Sequence, residues 1–289
     1  MENLYRITSL EGFLSLLINK KERFVNPIDK WEDTYEGYFL QLLSDEDKFM
    51  EIIDRLYNDI SKRAYKATCR NIAKLLSNRY DCYGLCWSTV RDSDAMWRIY
   101  SYGNKAIQLI SNEQRIRNML NNAGIEDKDI AINNVKYDLV NDEDIIEKML
   151  SPRAPVDAAY FHKREAFKHE QEKRVIIHES KSYEERAAEL EELVKQHIRK
   201  DGMNEILNTI REVINQQYIK KYYSERKTET MLNVYNLSEY IEGVRIHPMA
   251  QDWYSEIIEK ICNRHKINYL GRSDLYDKPI KVKNKKNGK

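Results

Sequence analysis

The chain has 289 residues, of which 42% are hydrophobic and only 9 are Gly and 5 Pro, so it has enough apolar surface for a packed core, which excludes an intrinsically disordered protein. The 48 Lys and Arg residues nearly balance the 47 Asp and Glu residues, and the formal net charge of +1 excludes a protein-wide basic field for nucleic acid or anionic membranes. Four cysteines are too few for a disulfide scaffold, and no run approaches the ~18 apolar residues of a spanning helix, so we expect a cytoplasmic protein outside the membrane.

The first 30 residues have a strand-helix-strand pattern. Residues 4–7 form a short apolar and aromatic run with one arginine, which is typical of a strand. Thr8 and Glu11 then have the spacing of a capping box, and apolar residues recur at helical spacing from 10 to 17. Residues 24–27 predict a second short strand.

The middle of the chain alternates helices and strands. Residues 31–37 (WEDTYEG) lack a clear period and end in Gly, which predicts an ordered loop. Helices are predicted to begin near Ser44 and to cover 64–76. The remaining predicted elements are strands over 83–89, 106–110, 133–140 and 172–178 and a helical turn over 93–100.

The last third begins with a long helical region. Two apolar stripes separated by Gly202 predict a helical hairpin over 182–223, inserted between strands, whose expected role is packing or binding a partner protein. After it we predict strands over 231–235 and 244–246 and a helix containing Trp253. Residues 1–280 are expected to form one domain, and the basic residues 281–289 a flexible tail.

Three places put charged or hydroxyl groups inside apolar strands, where an unpaired charge is costly to bury unless it is paired or used. Arg6 lies between Tyr5 and Ile7 in the opening strand. Its guanidinium can hold a phosphate or carboxylate bidentately, and the alternative interpretation is a structural salt bridge.

The second place is the strand end at Ser88 and Thr89. It is followed at helical spacing by Trp97 and Tyr100, whose rings could stack on a flat ligand or belong to the core. Ser88 lacks the flanking glycines of a hydrolase elbow.

The third place is the sequence from Glu170 through Glu172 to Arg174. In a strand these three residues share one face, where the two carboxylates raise each other's pKa and the arginine only partly offsets the effect. The alternative is a salt-bridged strand edge.

These motifs together resemble one family. They are LYRITS at 4–9, WEDTYEG at 31–37, CWST at 86–89, MWRIY at 96–100, the E-x-E-x-R of 170–174 and YIEGVRIHP at 240–248. In this order, over nearly the whole chain, they are similar to the domain-of-unknown-function 2971 family of prokaryotes and their mobile elements. That family in turn resembles ADP-ribosyltransferases of the Arg-Ser-Glu type.

The resemblance implies an α+β fold of split mixed β-sheets of ADP-ribosyltransferase type, with peripheral helices and the inserted helical hairpin. It also implies NAD as co-substrate. Glu172 would be the catalytic carboxylate, and Glu170 would face the acceptor and orient or deprotonate it. The cofactor-binding residues implied by the resemblance or expected from their position are Tyr5, Arg6, Ser88, Thr89, Trp97, Tyr100 and Arg174, and no metal ligand is expected.

The expected function is therefore NAD-dependent ADP-ribosyl transfer to a protein, a nucleic acid or a small molecule. The family's distribution implies a toxin-type effector in conflicts with phages or other mobile elements. The alternatives are an NAD glycohydrolase and a non-catalytic binding module whose hairpin at 182–223 docks a partner.

Overall fold

The computed structural model describes residues 2–31, 33, 81–139, 160–178, 188, 192 and 227–278. They form eleven strands, namely β1 (Asn3–Thr8), β2 (Lys21–Val25), β3 (Cys82–Ser88), β4 (Ile107–Asn112), β5 (Ile130–Asn134), β6 (Lys136–Leu139), β7 (His162–Arg164), β8 (Glu172–His178), β9 (Glu229–Asn233), β10 (Gly243–Ile246) and β11 (Tyr269–Arg272). The α-helices are α1 (Leu10–Asn19), α2 (Pro27–Lys30), α3 (Asp94–Tyr100), α4 (Glu113–Asn122), α5 (Leu237–Tyr240) and α6 (Asp252–Arg264), and 3₁₀ helices span Asp127–Asp129 and Glu165–Glu170.

Nine of these strands form one mixed sheet. Its order is β11-β10-β4-β1-β3, and β3 continues both to β2 and β9 and to β8 and β5. Only β10 and β11 pair in parallel within it, and β6 and β7 form a separate parallel pair. The fold is therefore α+β with a mixed sheet, as predicted in its coarse form.

Strand β3 is the junction of the sheet. One of its edges pairs with β8 along the whole strand, from Cys82 opposite His178 to Ser88 opposite Glu172. The other edge is divided, because Gly84 is the position paired with β2 and Ser88 the position paired with β1. β2 and β1 thus meet this edge at two positions that are four residues apart.

The two faces of the sheet have different surroundings. On β4, Ile107 and Leu109 belong to the hydrophobic core, which also contains residues of α1, α4, α5 and α6. Gln108 lies between them and points to the opposite face, because side chains alternate along a strand. Its Nε2 donates to the Arg91 carbonyl at 2.6 Å, so the segment that leads into α3 lies over this second face.

Side-chain caps fix where the helices begin. The N-cap of α1 is Ser9, whose Oγ accepts a hydrogen bond from the Gly12 N–H at 3.1 Å, so the predicted cap at Thr8 is wrong by one residue. Ser93 caps α3 in the same way. This cap starts the helix soon after β3 ends and holds α3 close to the end of that strand.

Most predicted elements of the described chain are confirmed. The strands expected at 4–7, 83–89, 106–110, 172–178, 231–235 and 244–246 and the helices at 10–17, 93–100 and around Trp253 are present with shifts of a few residues. The strand expected at 24–27 begins earlier, at Lys21, and Pro27 belongs to α2. The strand expected at 133–140 is instead the end of β5 followed by β6, and the prediction missed α4 and β11.

Several predictions lie outside the described residues. They are the helices beginning near Ser44 and over 64–76, most of the loop at 31–37, the tail at 281–289 and the hairpin at 182–223 apart from two helical residues at 188 and 192. Among the helices that are described, none is long and apolar enough to cross a membrane.

Candidate functional site

A cavity of about 190 Å³ lies where β1, β3 and β8 meet the segment that leads into α3. It lies at the end of β3 that carries Ser88. Its walls are formed by Tyr5, Arg6, Ile7, Cys86, Trp87, Ser88, Val90, Arg91, Ser93, Met96, Tyr100, Gln108 and Glu172. Consecutive residues of β1 and of β3 are present among them, so the cavity reaches the edges of both strands.

Strand register brings three predicted site residues into one row. Tyr5 of β1 is paired with Ser88 of β3, and Ser88 is paired with Glu172 of β8. Paired residues point to the same face of a sheet, and all three line the cavity. Residues far apart in the sequence therefore meet because of the order of strands β1, β3 and β8.

Glu172 is a buried carboxylate held by two cations. Its Oε2 accepts from Arg174 Nε at 2.7 Å, and its Oε1 lies 3.4 Å from Lys163 Nζ. Burial alone raises the pKa of Glu172, but the charges of Arg174 and Lys163 outweigh burial and hold the pKa below its usual range. The carboxylate that faces the cavity is thus ionised.

Glu170 differs from its predicted placement. It ends the 3₁₀ helix Glu165–Glu170 and does not belong to β8, because the following Gln171 adopts a left-handed backbone with φ of 39°. The left-handed residue breaks strand alternation, yet the side chains of Glu170 and Glu172 converge because both contact Lys163. Glu170 is only 5% exposed and does not line the cavity.

The environment of Glu170 favours the protonated carboxyl more than that of Glu172 does. Burial raises the pKa of Glu170, and the charge of Glu172 adds to the increase, whereas the hydrogen bond from Lys163 at 2.5 Å opposes it. Tyr100 donates a hydrogen bond from its hydroxyl to the other carboxyl oxygen at 3.3 Å. The two carboxylates therefore have pKa values shifted in opposite directions.

Ser88 and Thr89 hold the backbone of this turn. Ser88 Oγ donates to the Glu170 carbonyl at 2.7 Å, and Thr89 Oγ1 donates to the Gln171 carbonyl at 3.2 Å. Both hydroxyl groups thus act on the turn that presents the carboxylates. Ser88 also lines the cavity, whereas Thr89 does not.

Arg6 lines the cavity but is held by a second carboxylate. Its Nη1 and Nη2 bind Glu22 at 3.0 and 2.7 Å, and Tyr240 donates to the same carboxylate at 2.8 Å. The guanidinium also lies over the ring of Trp87, 5.0 Å from its centroid. Arg6 therefore forms a salt bridge, which was the alternative interpretation of its sequence position, and both of its terminal nitrogens take part.

The structure does not bring Arg174 and Trp97 to the cavity. Arg174 is 1% exposed, binds Glu172 and the Tyr160 carbonyl, and stacks on Trp31 with 4.1 Å to the ring centroid. Trp97 is fully buried on the inner side of α3, where its ring meets that of His247 edge to face. Arg174 thus orients Glu172, and Trp97 anchors the helix that carries Tyr100.

Three buried polar atoms on the cavity-lining residues have no hydrogen-bond partner in the described part of the chain. They are Arg6 Nε, Trp87 Nε1 and Gln108 Oε1. Two are donors and one is an acceptor. Buried polar groups are nearly always satisfied, so these atoms mark positions that water or a polar ligand would satisfy.

Sequence reasoning missed three residues of this site, namely Glu22, Gln108 and Lys163. Gln108 carried a readable signal, because it is a polar residue inside an apolar strand, in the same way as Arg6. Glu22 and Lys163 carried no such signal, because each lies in a charged stretch. The buried partner of Glu22 is distant in the sequence, and that of Lys163 is reached through a tight turn.

Within the described ranges no group of three or more His, Cys, Asp or Glu residues has the arrangement of a metal site.

Comparison of the chain with protein-family models, with curated proteins and with solved structures found no match.

Proposed function

We propose that the chain is an ADP-ribosyltransferase-like enzyme that uses NAD as co-substrate, with Glu172 as its catalytic carboxylate. One observation carries the proposal. A buried, ionised carboxylate lines a cavity, and three other lining residues each carry a buried polar atom without a hydrogen-bond partner in the described chain. Perturbed carboxylates beside a cavity with unsatisfied polar groups are the physical features expected of an active site.

The size of the cavity favours one ring of the cofactor. A cavity of about 150 Å³ is enough to hold benzene, so about 190 Å³ accommodates nicotinamide but not a whole dinucleotide. We therefore assign the cavity to the nicotinamide end of NAD. The adenosine and phosphates would lie outside it, and Arg91 is the lining cation with the more exposed side chain.

One unpaired atom suits a carboxamide. Gln108 Oε1 is an acceptor on the face of the sheet that carries Glu172, and the NH₂ group of the nicotinamide carboxamide donates. Arg6 and Trp87 point to the opposite face, because Arg6 is paired with the core residue Leu109 and its guanidinium lies over the Trp87 ring. Glu22 holds both terminal nitrogens of Arg6, so this arginine does not act as a bidentate phosphate clamp in the proposal.

The chemistry gives Glu172 its role. Breaking the bond between nicotinamide and ribose develops positive charge on the ribose, and a fixed carboxylate stabilises charge that exists only in the transition state. One well-placed electrostatic group contributes about 3 kcal/mol to such stabilisation. Arg174 and Lys163 keep Glu172 ionised and oriented. The divided edge of β3 supports the proposed split-sheet fold.

The direct test compares the binding of NAD with that of its deamidated analogue, nicotinic acid adenine dinucleotide. We expect NAD to raise the thermal midpoint, since a ligand at 100 times its Kd stabilises the folded state by about 2.7 kcal/mol. The analogue should bind much more weakly, because its carboxylate cannot donate to Gln108 and faces Glu172. If neither compound shifts the midpoint, NAD use is wrong. Equal shifts would refute only the carboxamide assignment.

A second experiment separates the three functional classes. The protein is incubated with labelled NAD and a cell lysate, and the label is followed into protein, RNA, DNA and free ADP-ribose. Labelled macromolecules identify a transferase, whereas free ADP-ribose alone identifies an NAD glycohydrolase. Stabilisation by NAD without its consumption would identify a non-catalytic binding module.

A further inference from the structure

An acceptor in the cavity does not meet Glu170 directly. The Glu170 side chain is buried behind the cavity wall, and its Oε2 is held by Lys163 at 2.5 Å. Lys163 is 5% exposed, and it too is absent from the cavity wall. The proton acceptor expected for this chemistry is thus separated from the reacting atoms.

Tyr100 connects the two. It is the last residue of α3, it lines the cavity, and 44% of it is exposed. Its hydroxyl donates to Glu170 Oε1 at 3.3 Å, on the carboxyl oxygen that Lys163 leaves open. The phenol oxygen therefore has its proton directed at Glu170, and the residue that carries it lines the cavity.

Glu172 is the other lining residue close to Glu170, and it is unsuited to carry a proton. Arg174 and Lys163 hold its oxygens and keep it ionised. A group that must remain negative to stabilise the transition state cannot also accept the proton of the acceptor. This leaves Tyr100 as the described lining residue that hydrogen-bonds to Glu170 and can exchange a proton.

We propose that Tyr100 is a catalytic residue that relays the acceptor's proton to Glu170. The inference rests on the proposed function and deepens it. The acceptor's O–H proton moves to the Tyr100 oxygen while the phenolic proton moves to Glu170 Oε1. The acceptor oxygen bonds to the ribose carbon of NAD, and the bond from that carbon to nicotinamide breaks. Its electron pair stays on the nicotinamide nitrogen and neutralises the pyridinium charge, and the relayed proton leaves from Glu170.

The relay also indicates the class of acceptor. A hydroxyl group, from a macromolecule or from water, must lose a proton as it attacks, so it needs this path. A carboxylate acceptor has no proton to lose at neutral pH and would be repelled by Glu172. We therefore assign the site to acceptors that lose a proton as they attack, such as hydroxyl groups, and not to carboxylates.

The test uses the full chain with the substitution Tyr100→Phe, which removes the hydroxyl and keeps the ring. The matched control is Tyr102→Phe, because Tyr102 is two residues away, 98% exposed and outside the cavity wall. Nicotinamide release from saturating NAD is measured in a cell lysate, and NAD binding is measured by the shift in thermal midpoint.

We expect Tyr100→Phe to lower turnover by roughly 100- to 10,000-fold, the usual range for proton transfer, with an unchanged NAD-induced shift. Tyr102→Phe should match the parent protein. Turnover of Tyr100→Phe within threefold of the parent would overturn the relay alone, and so would loss of its NAD-induced shift. If the parent protein neither binds nor consumes NAD, the proposed function is wrong and the relay falls with it.

Discussion

Two buried ion-pair clusters border the cavity and differ in composition. The first cluster is Arg6 with Glu22 and the hydroxyl of Tyr240, one cation with one carboxylate. The second is Lys163 and Arg174 with Glu170 and Glu172, where two carboxylates share the same lysine. Only the second cluster has carboxylates whose pKa values move apart.

The two clusters use buried charge in different ways. In the first cluster each charge has a partner of opposite sign, and the pair packs against Trp87 and Tyr240 beside the core. In the second cluster one carboxylate remains ionised beside the cavity, and the other is suited to accept a proton. We assign stability to the first cluster and chemistry to the second.

The largest effect on stability is expected from Glu22→Gln. This change leaves the buried guanidinium of Arg6 without an opposite charge, and breaking a buried pair by removing one partner costs about 3–5 kcal/mol. Urea denaturation measures the free energy of unfolding. A loss below 1 kcal/mol would mean that the first cluster does not stabilise the fold.

A matched pair of Tyr→Phe substitutions distinguishes the roles of the two clusters in stability and turnover. Tyr240→Phe removes the hydroxyl that binds the Glu22 carboxylate, and a hydrogen bond to a charged group contributes about 1.5–3 kcal/mol. We expect it to lower the free energy of unfolding and to leave turnover per folded molecule unchanged. Tyr100→Phe should lower turnover and cost less stability, because its hydrogen bond to Glu170 is longer, at 3.3 Å, and Tyr100 is 44% exposed. If both variants lose stability and keep turnover, the functional distinction between the clusters is wrong.

The smallest expected effect is a shift of the pH profile. Glu170 accepts a proton only when it is ionised, so kcat should fall as the pH decreases through its pKa. Burial and the charge of Glu172 raise the pKa of Glu170 against the opposing Lys163. Two hydroxyls stay neutral in this pH range, that of Tyr100 and that of Tyr137, which accepts a hydrogen bond from the Glu172 N–H. The acid limb should therefore lie above the ordinary glutamate value of about 4.3.

The substitution Glu170→Gln, with Glu165→Gln as its control, tests whether Glu170 produces that acid limb. Glu172 has a lowered pKa and stays ionised across the same pH range, so it does not produce the limb. In Glu170→Gln the remaining activity should be lower and should lack the limb. A limb that persists unchanged in this variant would contradict the assignment to Glu170, and Glu165→Gln, on the exposed start of the same 3₁₀ helix, is the control.

The positions of the strands followed from local sequence patterns. Apolar runs placed β1, β3, β4 and β8, and the polar residues that interrupt these runs pointed to the site. The strand order that aligns Tyr5, Ser88 and Glu172 is a tertiary property, since it depends on pairing between segments more than 80 residues apart. The resemblance of the sequence motifs to a known family suggested that these residues lie together, whereas no spacing in the chain implied it.

The details of the site were less accessible to sequence reasoning. The left-handed Gln171 removes Glu170 from the strand, and nothing in the identity of a glutamine requires that conformation. Trp97 and Tyr100 have the same helical neighbourhood in the sequence, yet the first faces inward and the second faces the cavity. Helix α4 was missed although Ile116, Met119 and Leu120 have the spacing of a buried helical face.

The central claim is most directly tested by Glu172→Gln, with nicotinamide release from NAD as the measurement. We expect turnover to fall by about 100- to 1,000-fold, the cost of losing one electrostatic group in the transition state. Because the buried Arg174 loses its charged partner but keeps its bond to the Tyr160 carbonyl, we also expect a loss of about 3 kcal/mol in the free energy of unfolding, so turnover is referred to folded protein. Turnover equal to that of the parent protein would contradict the account.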